Sequence, residues 1–188
     1  AGYVLYGGGV DLGLLILSLG TALMAAGASA LNQVQERKYD ACMERTRGRP
    51  LPAGKLATST ALAIAAGWLV GGALLLALAG GYEVVGLGLL AAAFYNALYT
   101  PLKRVTAFAV LPGSIIGALP PAMGWLAAGG ALADPRILAL MFFFLIWQMP
   151  HFWLLVLRYG REYENAGFPT VTARLGTAAT ERVTVVWI

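Results

Sequence analysis

Apolar residues in this chain come in blocks of about 20, separated by short stretches that hold nearly all of the charge. The blocks are about Leu12–Leu31, Thr58–Gly80, Glu83–Tyr99, Ala107–Ala128 and Pro135–Leu157, and a sixth begins at Arg182. About 20 apolar residues form a helix long enough to cross a hydrocarbon core of about 30 Å. Because only a helix satisfies all of its own backbone polar groups in lipid, the pattern predicts an all-α, multi-pass transmembrane helical bundle. We expect five complete helices and the start of another.

The basic residues fall on one side of this predicted bundle. Every Lys and Arg except Arg136 lies in the stretches 32–57, 100–106 and 158–182, which the five helices place on the same face of the membrane. By the positive-inside rule this face is cytoplasmic. A transporter would need a polar track across the membrane, and no acidic or basic residue except His151 lies in the middle of a predicted helix. The pattern therefore argues against a transporter.

Composition excludes an ordinary soluble domain. Only 12% of the residues are charged and 59% are hydrophobic, whereas soluble domains carry roughly 25% charged residues. The single cysteine, Cys42, allows no intramolecular disulfide and fits a reducing cytoplasmic side. The chain opens without Met and stops inside an apolar run, so we expect residues 1–188 to be a single domain that is incomplete at both ends.

An acidic stripe follows the first predicted helix. Asn32, Glu36 and Asp40 recur at every fourth position, which places three oxygen-bearing side chains on one helical face. Two carboxylates and an amide suit Mg²⁺, which fills its remaining positions with water and phosphate oxygens. The alternative is a solvated helix end whose acids are paired with basic neighbours.

A cluster of arginines comes directly after the stripe. Arg45, Arg47 and Arg49 occupy alternate positions, and the planar guanidinium group binds two phosphate oxygens at a time. An acidic stripe next to arginines suits a diphosphate with its metal ion. Binding to anionic lipid, or charge that only sets topology, is the alternative.

These residues resemble the first aspartate-rich motif of UbiA-type intramembrane prenyltransferases. The resemblance continues in order along the chain and is most specific to the branch that farnesylates protohaem. It is carried by residues 32–52, by Tyr99-Thr100-Pro101-Leu102-Lys103-Arg104, by residues 117–125, by Trp147-Gln148-Met149-Pro150-His151-Phe152-Trp153, and by residues 163–169.

The resemblance implies transfer of a farnesyl group from farnesyl diphosphate to a vinyl group of haem B, giving haem O and diphosphate. A UbiA-type enzyme acting on another acceptor, such as an aromatic quinone precursor, is the main alternative. The implied catalytic residues are Asn32, Glu36, Asp40 and Glu162, with the first three as Mg²⁺ ligands. The implied diphosphate-binding residues are Arg45, Arg49, Lys103 and Arg161, and the implied haem contacts are His151 and Trp147.

The resemblance also implies a location and partners. The protein would lie in the bacterial inner membrane, or in the mitochondrial inner membrane of a eukaryote, with its active-site loops in the cytoplasm. Its partners would be the two substrates and the lipid bilayer, without nucleic acid, and an association with haem-handling or oxidase-assembly proteins is left open. This chain has Glu36 where the family usually has Asp, and Arg161-Glu162-Tyr163 where it has Lys-Asp-Tyr.

Three geometric expectations follow. Asn32, Glu36 and Asp40 should face a shared interior cavity, and Glu162 should lie across it within about 12 Å of Asp40, since Mg²⁺–oxygen bonds are only ~2.1 Å long. His151 should line the same cavity at greater depth, because an ionisable side chain inside a membrane span is a functional candidate. The alternative is a neutral His bonded to a carbonyl that Pro150 leaves free.

Overall fold

A computed structural model describes residues 1–187. Within that range all regular structure is helical, as predicted. The α-helices are α1 (Gly2–Tyr6), α2 (Leu12–Asp40), α3 (Thr58–Ala93), α4 (Thr100–Leu102), α5 (Val110–Gly113), α6 (Ile115–Ala127), α7 (Pro135–Asn165), α8 (Val171–Leu175) and α9 (Thr177–Trp187). A π-helical segment, Phe94–Tyr99, joins α3 to α4.

Four helical segments in the described chain are long and apolar enough to cross a membrane, and the second of them folds back on itself. That segment runs for 45 residues, Thr58–Leu102, about 68 Å if it were straight. It breaks at Gly80 and Gly81, where Gly81 has a φ of 75° that favours glycine. In a straight helix Leu76 and Gly88, twelve residues apart, would be separated by about 18 Å. A Cβ atom placed on Gly88 would instead lie 2.7 Å from the Leu76 side chain, so the two halves of the segment pack against each other. Residues 1–187 therefore hold five helical segments of the kind that the hydrophobic pattern predicts, because the second candidate span is two segments joined at this break.

Glycines let α2 and the first half of α3 pack backbone against backbone. A Cβ atom on Gly72 would lie 2.8 Å from the backbone nitrogen of Met24, and one on Gly27 would lie 2.9 Å from the carbonyl oxygen of Ala65. Close packing at small residues is typical of membrane helices. The Gly67-x-x-x-Gly71 motif in α3 does not supply this contact, since Gly67 faces open space.

Helix α7 is longer than its apolar block. Hydropathy ends near Leu157 because Arg158 and Arg161 follow, but the helix continues to Asn165. A helix need not end where the hydrocarbon ends, since its backbone bonds are internal. Helix α9 likewise begins at Thr177, ahead of the predicted Arg182. As a result, Glu162 lies on a helix and not in a loop.

Candidate active site

The acidic stripe of α2 is buried. Asn32, Glu36 and Asp40 are only 6%, 4% and 2% exposed, at the predicted cytoplasmic end of the helix. Their four-residue spacing keeps them on one helical face, as predicted. Burial of two carboxylates requires partners, because an isolated buried charge is strongly unfavourable.

Basic side chains supply these partners. The Lys103 ammonium lies 2.7 Å from Oε2 of Glu36, and the Arg49 guanidinium lies 2.9 Å from Oδ2 of Asp40. The cavity that all three stripe residues are expected to share stays a prediction, and the two carboxylates are paired with these cations. Asn32 instead donates its amide N–H to the Thr100 hydroxyl at 2.9 Å. Both acids of the stripe are thus neutralised by basic side chains.

The segment that carries Lys103 docks on the last turns of α2. Gln35 donates to the carbonyl oxygen of Asn96 at 3.1 Å, and Arg104 donates to the carbonyl oxygen of Gln35 at 3.0 Å. The π-helical turn Phe94–Tyr99 precedes this segment, and such turns are frequent at functional sites. The Lys103 ammonium also lies 5.3 Å from the centre of the Tyr99 ring. The Lys103 ammonium therefore contacts both the Tyr99 ring and the Glu36 carboxylate.

One carboxylate oxygen of the stripe is left without a donor. Within residues 1–187, Oε1 of Glu36 has no hydrogen-bond partner although it is buried. The side-chain nitrogen Nε of Arg104 is 3.9 Å away, too far for a hydrogen bond. A buried acceptor without a donor is costly, so this atom is suited to an additional cation or donor.

Glu162 approaches the stripe through the loop after α2. Its carboxylate accepts from the backbone N–H of Arg45 at 3.4 Å, while the next residue, Thr46, donates to the carbonyl oxygen of Asp40 at 2.9 Å. Glu162 and Asp40 therefore contact adjacent residues of one loop. Their carboxylate separation, and a shared metal cluster, stay predictions. Glu164 binds the Thr170 hydroxyl instead.

The predicted diphosphate-binding residues are not all together. Arg49 and Lys103 bind the stripe, whereas the Arg45 side chain donates to the Tyr163 hydroxyl at 3.2 Å. Arg161 is exposed in a groove between α7 and the helices that follow. In the part of the chain that the structure describes, Arg161 forms no ion pair. Among residues 1–187, no hydrogen bond or ion pair links Arg161 to the stripe.

Trp147 and His151 lie on an exposed face of α7. Their rings stack at 5.8 Å with an interplanar angle of 11°, and Trp147 is 52% exposed. His151 is exposed on this face, and its expected place in a cavity next to the stripe stays a prediction. Met149, Pro150 and Trp153 take the buried side of the helix, and His151 falls outside that side.

An apolar cavity of about 300 Å³ continues the acidic stripe into the membrane. Ala25, Ala28 and Ser29 line it on α2, at the same helical phase as Asn32. Tyr95 and Pro120 form part of the opposite wall, so helix α6, which contains two prolines, bounds this cavity. A smaller cavity of about 110 Å³ lies beside Lys103 and is walled by aromatic rings, among them Tyr99 and Phe152.

The donor set fits a cation only in part. Among residues 1–187, no three His, Cys, Asp or Glu side chains are grouped to hold a metal ion. Glu36 and Asp40, with the amide oxygen of Asn32, match the few protein ligands that Mg²⁺ takes when phosphate oxygens complete its shell. Sequence reasoning missed Thr100 and Arg104 as contacts of the stripe. Both residues lie close to Lys103 in the short polar stretch 100–106 after an apolar block, and this position could have indicated that they contact the stripe.

Comparison with known proteins extends this description. The chain is 47% identical to a protoheme IX farnesyltransferase of Geobacter sulfurreducens over 94% of this chain and 65% of that protein. It is 42% identical to one of Oleidesulfovibrio alaskensis over 93% of this chain and 62% of that protein. It therefore spans a little under two thirds of the length of these curated relatives.

The fold is shared with a solved structure. The apo structure of a UbiA homolog from Aeropyrum pernix K1 superposes with a TM-score of 0.81 at 19% identity, covering 99% of this chain and 70% of that one. The family model described as the UbiA prenyltransferase family matches residues 1–188. The chain therefore belongs to the UbiA prenyltransferase family.

Proposed function

We propose that this protein transfers the farnesyl group of farnesyl diphosphate to a vinyl group of haem B, giving haem O and diphosphate. The observation that carries the proposal is the buried acidic stripe with its own cations, set at the mouth of an apolar cavity. A substrate with an anionic head and a long apolar tail matches both parts. The names of the relatives, which are 42–47% identical, support haem as the acceptor.

The basic residues handle the diphosphate. Arg49 forms an ion pair with Asp40, and Lys103 forms one with Glu36. Both cations are therefore close to a diphosphate that binds at the acidic stripe. As the allylic C–O bond breaks, charge grows on the leaving diphosphate, and fixed cations stabilise that charge. Arg45 is held close by through Tyr163. Arg161 would need a different side-chain orientation to take part.

Mg²⁺ is the implied metal, and Glu36 and Asp40 would hold it, with the amide oxygen of Asn32. Bound there, it would neutralise diphosphate oxygens as a Lewis acid. The orphaned Oε1 atom of Glu36 supports this assignment.

The apolar cavity would hold the farnesyl tail and exclude water from the allylic cation. Tyr95, on the cavity wall, and Tyr99, beneath Lys103, present aromatic faces close to the reacting end, and such faces stabilise cations. A haem vinyl carbon then bonds to the allylic carbon. Water adds to the resulting cation as a hydroxyl group and releases a proton.

The binding site for the acceptor, haem B, has fewer identified residues than the diphosphate site. Trp147 and His151 form an accessible stacked pair on α7, and their role as haem contacts stays a prediction. An aromatic quinone precursor is the alternative acceptor. We also propose an inner-membrane location with the acidic stripe on the cytoplasmic side, which the distribution of Lys and Arg supports. Haem-handling or oxidase-assembly proteins would be natural partners there.

Product analysis tests the function. The purified protein in lipid nanodiscs is incubated with haem B, farnesyl diphosphate and Mg²⁺, and the pigments are analysed by mass spectrometry. We expect haem O to form and to require all three components. Unchanged haem B, together with farnesylation of an aromatic quinone precursor in a parallel reaction, would assign the other acceptor.

A further inference from the structure

More positive than negative charge lies at the acidic stripe. Among residues 1–187, three basic side chains form ion pairs with its two carboxylates: Arg49 with Asp40 at 2.9 Å, and Lys103 and Arg104 with Glu36 at 2.7 Å and 3.9 Å. Three positive and two negative groups give this ion-pair cluster a net charge of +1. The basic side chains are only 20–35% exposed and the acids less than 10%, so salt screens these charges weakly.

A free Mg²⁺ ion is poorly matched to this cluster. Mg²⁺ binds proteins through carboxylate oxygens, and Oδ2 of Asp40 and Oε2 of Glu36 each already accept a hydrogen bond from a cation. The orphaned Oε1 atom of Glu36 also has a cation, Arg104, at 3.9 Å. The metal alone would raise the net charge of the cluster from +1 to +3, and like charges in a weakly screened site repel strongly.

A diphosphate reverses this balance. A diphosphate ester carries about three negative charges near neutral pH, so the cluster with both the diphosphate and Mg²⁺ is close to neutral. Guanidinium and ammonium groups form strong charge-assisted hydrogen bonds to phosphate oxygens. The diphosphate therefore competes with Asp40 for Arg49 and with Glu36 for Lys103. Each carboxylate that loses its cation becomes available to the metal.

The contacts of Lys103 allow such an exchange. Its ammonium lies 5.3 Å from the centre of the Tyr99 ring and 5.8 Å from that of the Phe168 ring. Both rings attract a cation, so the ammonium keeps these partners when it turns from Glu36 to a phosphate oxygen. Arg49 is 35% exposed, and its charged end is correspondingly accessible to a ligand.

We infer that Arg49 and Lys103 exclude a free metal ion from the stripe and release its carboxylates only to a metal that binds together with a diphosphate. The inference rests on the proposed function, in that Glu36 and Asp40 are the carboxylates that hold the metal. The two basic residues have one role before the substrate binds, when they neutralise buried acids, and another afterwards, when they bind the diphosphate. Binding of the metal and binding of the diphosphate are therefore coupled.

Calorimetry with magnesium chloride alone tests this coupling, with the protein in nanodiscs of zwitterionic lipid so that the lipid offers no anionic site. We expect Arg49→Gln to bind Mg²⁺ at least about tenfold more tightly than wild type, because a divalent ion and a cation about 4 Å apart repel each other by more than this factor even in water. With Mg²⁺ present, the same variant should bind farnesyl diphosphate about tenfold more weakly. Partial unfolding only lowers affinities and cannot produce the gain.

The same loop offers two matched controls. Arg49→Lys keeps the charge and should keep the weak Mg²⁺ binding of wild type. Arg47→Gln makes the same change two positions away, on a side chain that is 66% exposed and pairs with exposed Glu44. Since such surface pairs contribute little, this variant should keep both affinities within about twofold of wild type.

Equal Mg²⁺ affinities in wild type and Arg49→Gln would overturn the inference. A submillimolar dissociation constant for Mg²⁺ alone in wild type would also overturn it, so the test does not depend on the folding of any variant. Haem farnesylation is measured separately by mass spectrometry. Opposite shifts for metal and diphosphate without haem product sustain the inference and reject only the haem acceptor, whereas haem product with an unshifted Mg²⁺ affinity does the reverse.

Discussion

The acidic stripe of α2 and the aromatic pair of α7 have the same spacing and opposite surroundings. Glu36 and Asp40 are four residues apart, as are Trp147 and His151. The first pair is almost completely buried against cations, whereas the second lies on an exposed face. Periodicity determines which residues share a face, but the neighbouring elements determine what that face meets.

The largest effect is expected at the stripe. Asp40→Asn keeps the size of the side chain but removes the charge that Arg49 and a metal ion need, so turnover should fall at least about a hundredfold. Glu44→Gln is the matched control, because Glu44 is exposed and, among the residues that the structure describes, pairs only with exposed Arg47. Steady-state formation of prenylated product measures both. An equal loss of turnover in Asp40→Asn and Glu44→Gln would show that the buried stripe acid matters no more for catalysis than a surface acid.

The next largest effect concerns folding. Lys103→Met leaves the buried Glu36 carboxylate without its closest cation, and breaking a buried pair costs roughly 3–5 kcal/mol. Adding Glu36→Gln to this variant should restore most of the stability without restoring turnover. Thermal unfolding in nanodiscs gives the double-mutant cycle. Single and double variants of equal stability would show that the pair carries no coupling.

The aromatic pair should give a smaller and selective effect. We expect His151→Ala to weaken haem binding by about tenfold, or 1.4 kcal/mol, and to leave farnesyl diphosphate binding unchanged, because His151 lies outside the apolar cavity. Absorption titration with haem and calorimetry with the diphosphate measure the two affinities. A variant with an unchanged haem spectrum would make His151 an ordinary helix residue.

The smallest effect is expected at the opposite end of α7, where an exposed ion pair gives a baseline for the buried ones. Hydrogen bonds from Arg136 hold the pKa of the Asp134 carboxyl below its ordinary value. A carboxyl with a lowered pKa in the folded state stabilises that state above its unfolded pKa of about 3.9, and loses this contribution as pH falls through the folded value.

The melting temperatures of wild type and Asp134→Asn should therefore differ slightly near neutral pH and converge in acid. A difference that widens as pH falls would contradict the sign of this interaction.

Much of the fold could be predicted from the sequence. Apolar blocks predicted five membrane passes, including the break between Gly80 and Glu83, because chain length in lipid is set by bilayer thickness. The blocks could not show that α7 continues to Asn165, since a helix outside lipid leaves no hydropathy signal. The end of the apolar block at Leu157 therefore predicts a loop at Glu162, whereas the structure places Glu162 on α7.

The candidate site was only partly predictable. The four-residue spacing predicted the shared face of Asn32, Glu36 and Asp40, which is local geometry. That Lys103 neutralises Glu36 depends on the docking of a segment 67 residues away along the chain, which no local pattern encodes. Arg49, in contrast, is only nine residues from Asp40. The exposure of His151 depends in the same way on which helices pack against α7.

The most direct test of the central claim is calorimetric binding of farnesyl diphosphate and of farnesol, each with and without Mg²⁺. The two ligands share the tail that the apolar cavity would hold, and only the diphosphate can engage the stripe. We predict that farnesyl diphosphate binds at least about a hundredfold more tightly than farnesol, a difference of roughly 2.8 kcal/mol, and that this advantage requires Mg²⁺. Equal affinities for the two ligands, or a diphosphate affinity that Mg²⁺ does not change, would contradict the assignment of Glu36 and Asp40 to a diphosphate–metal site.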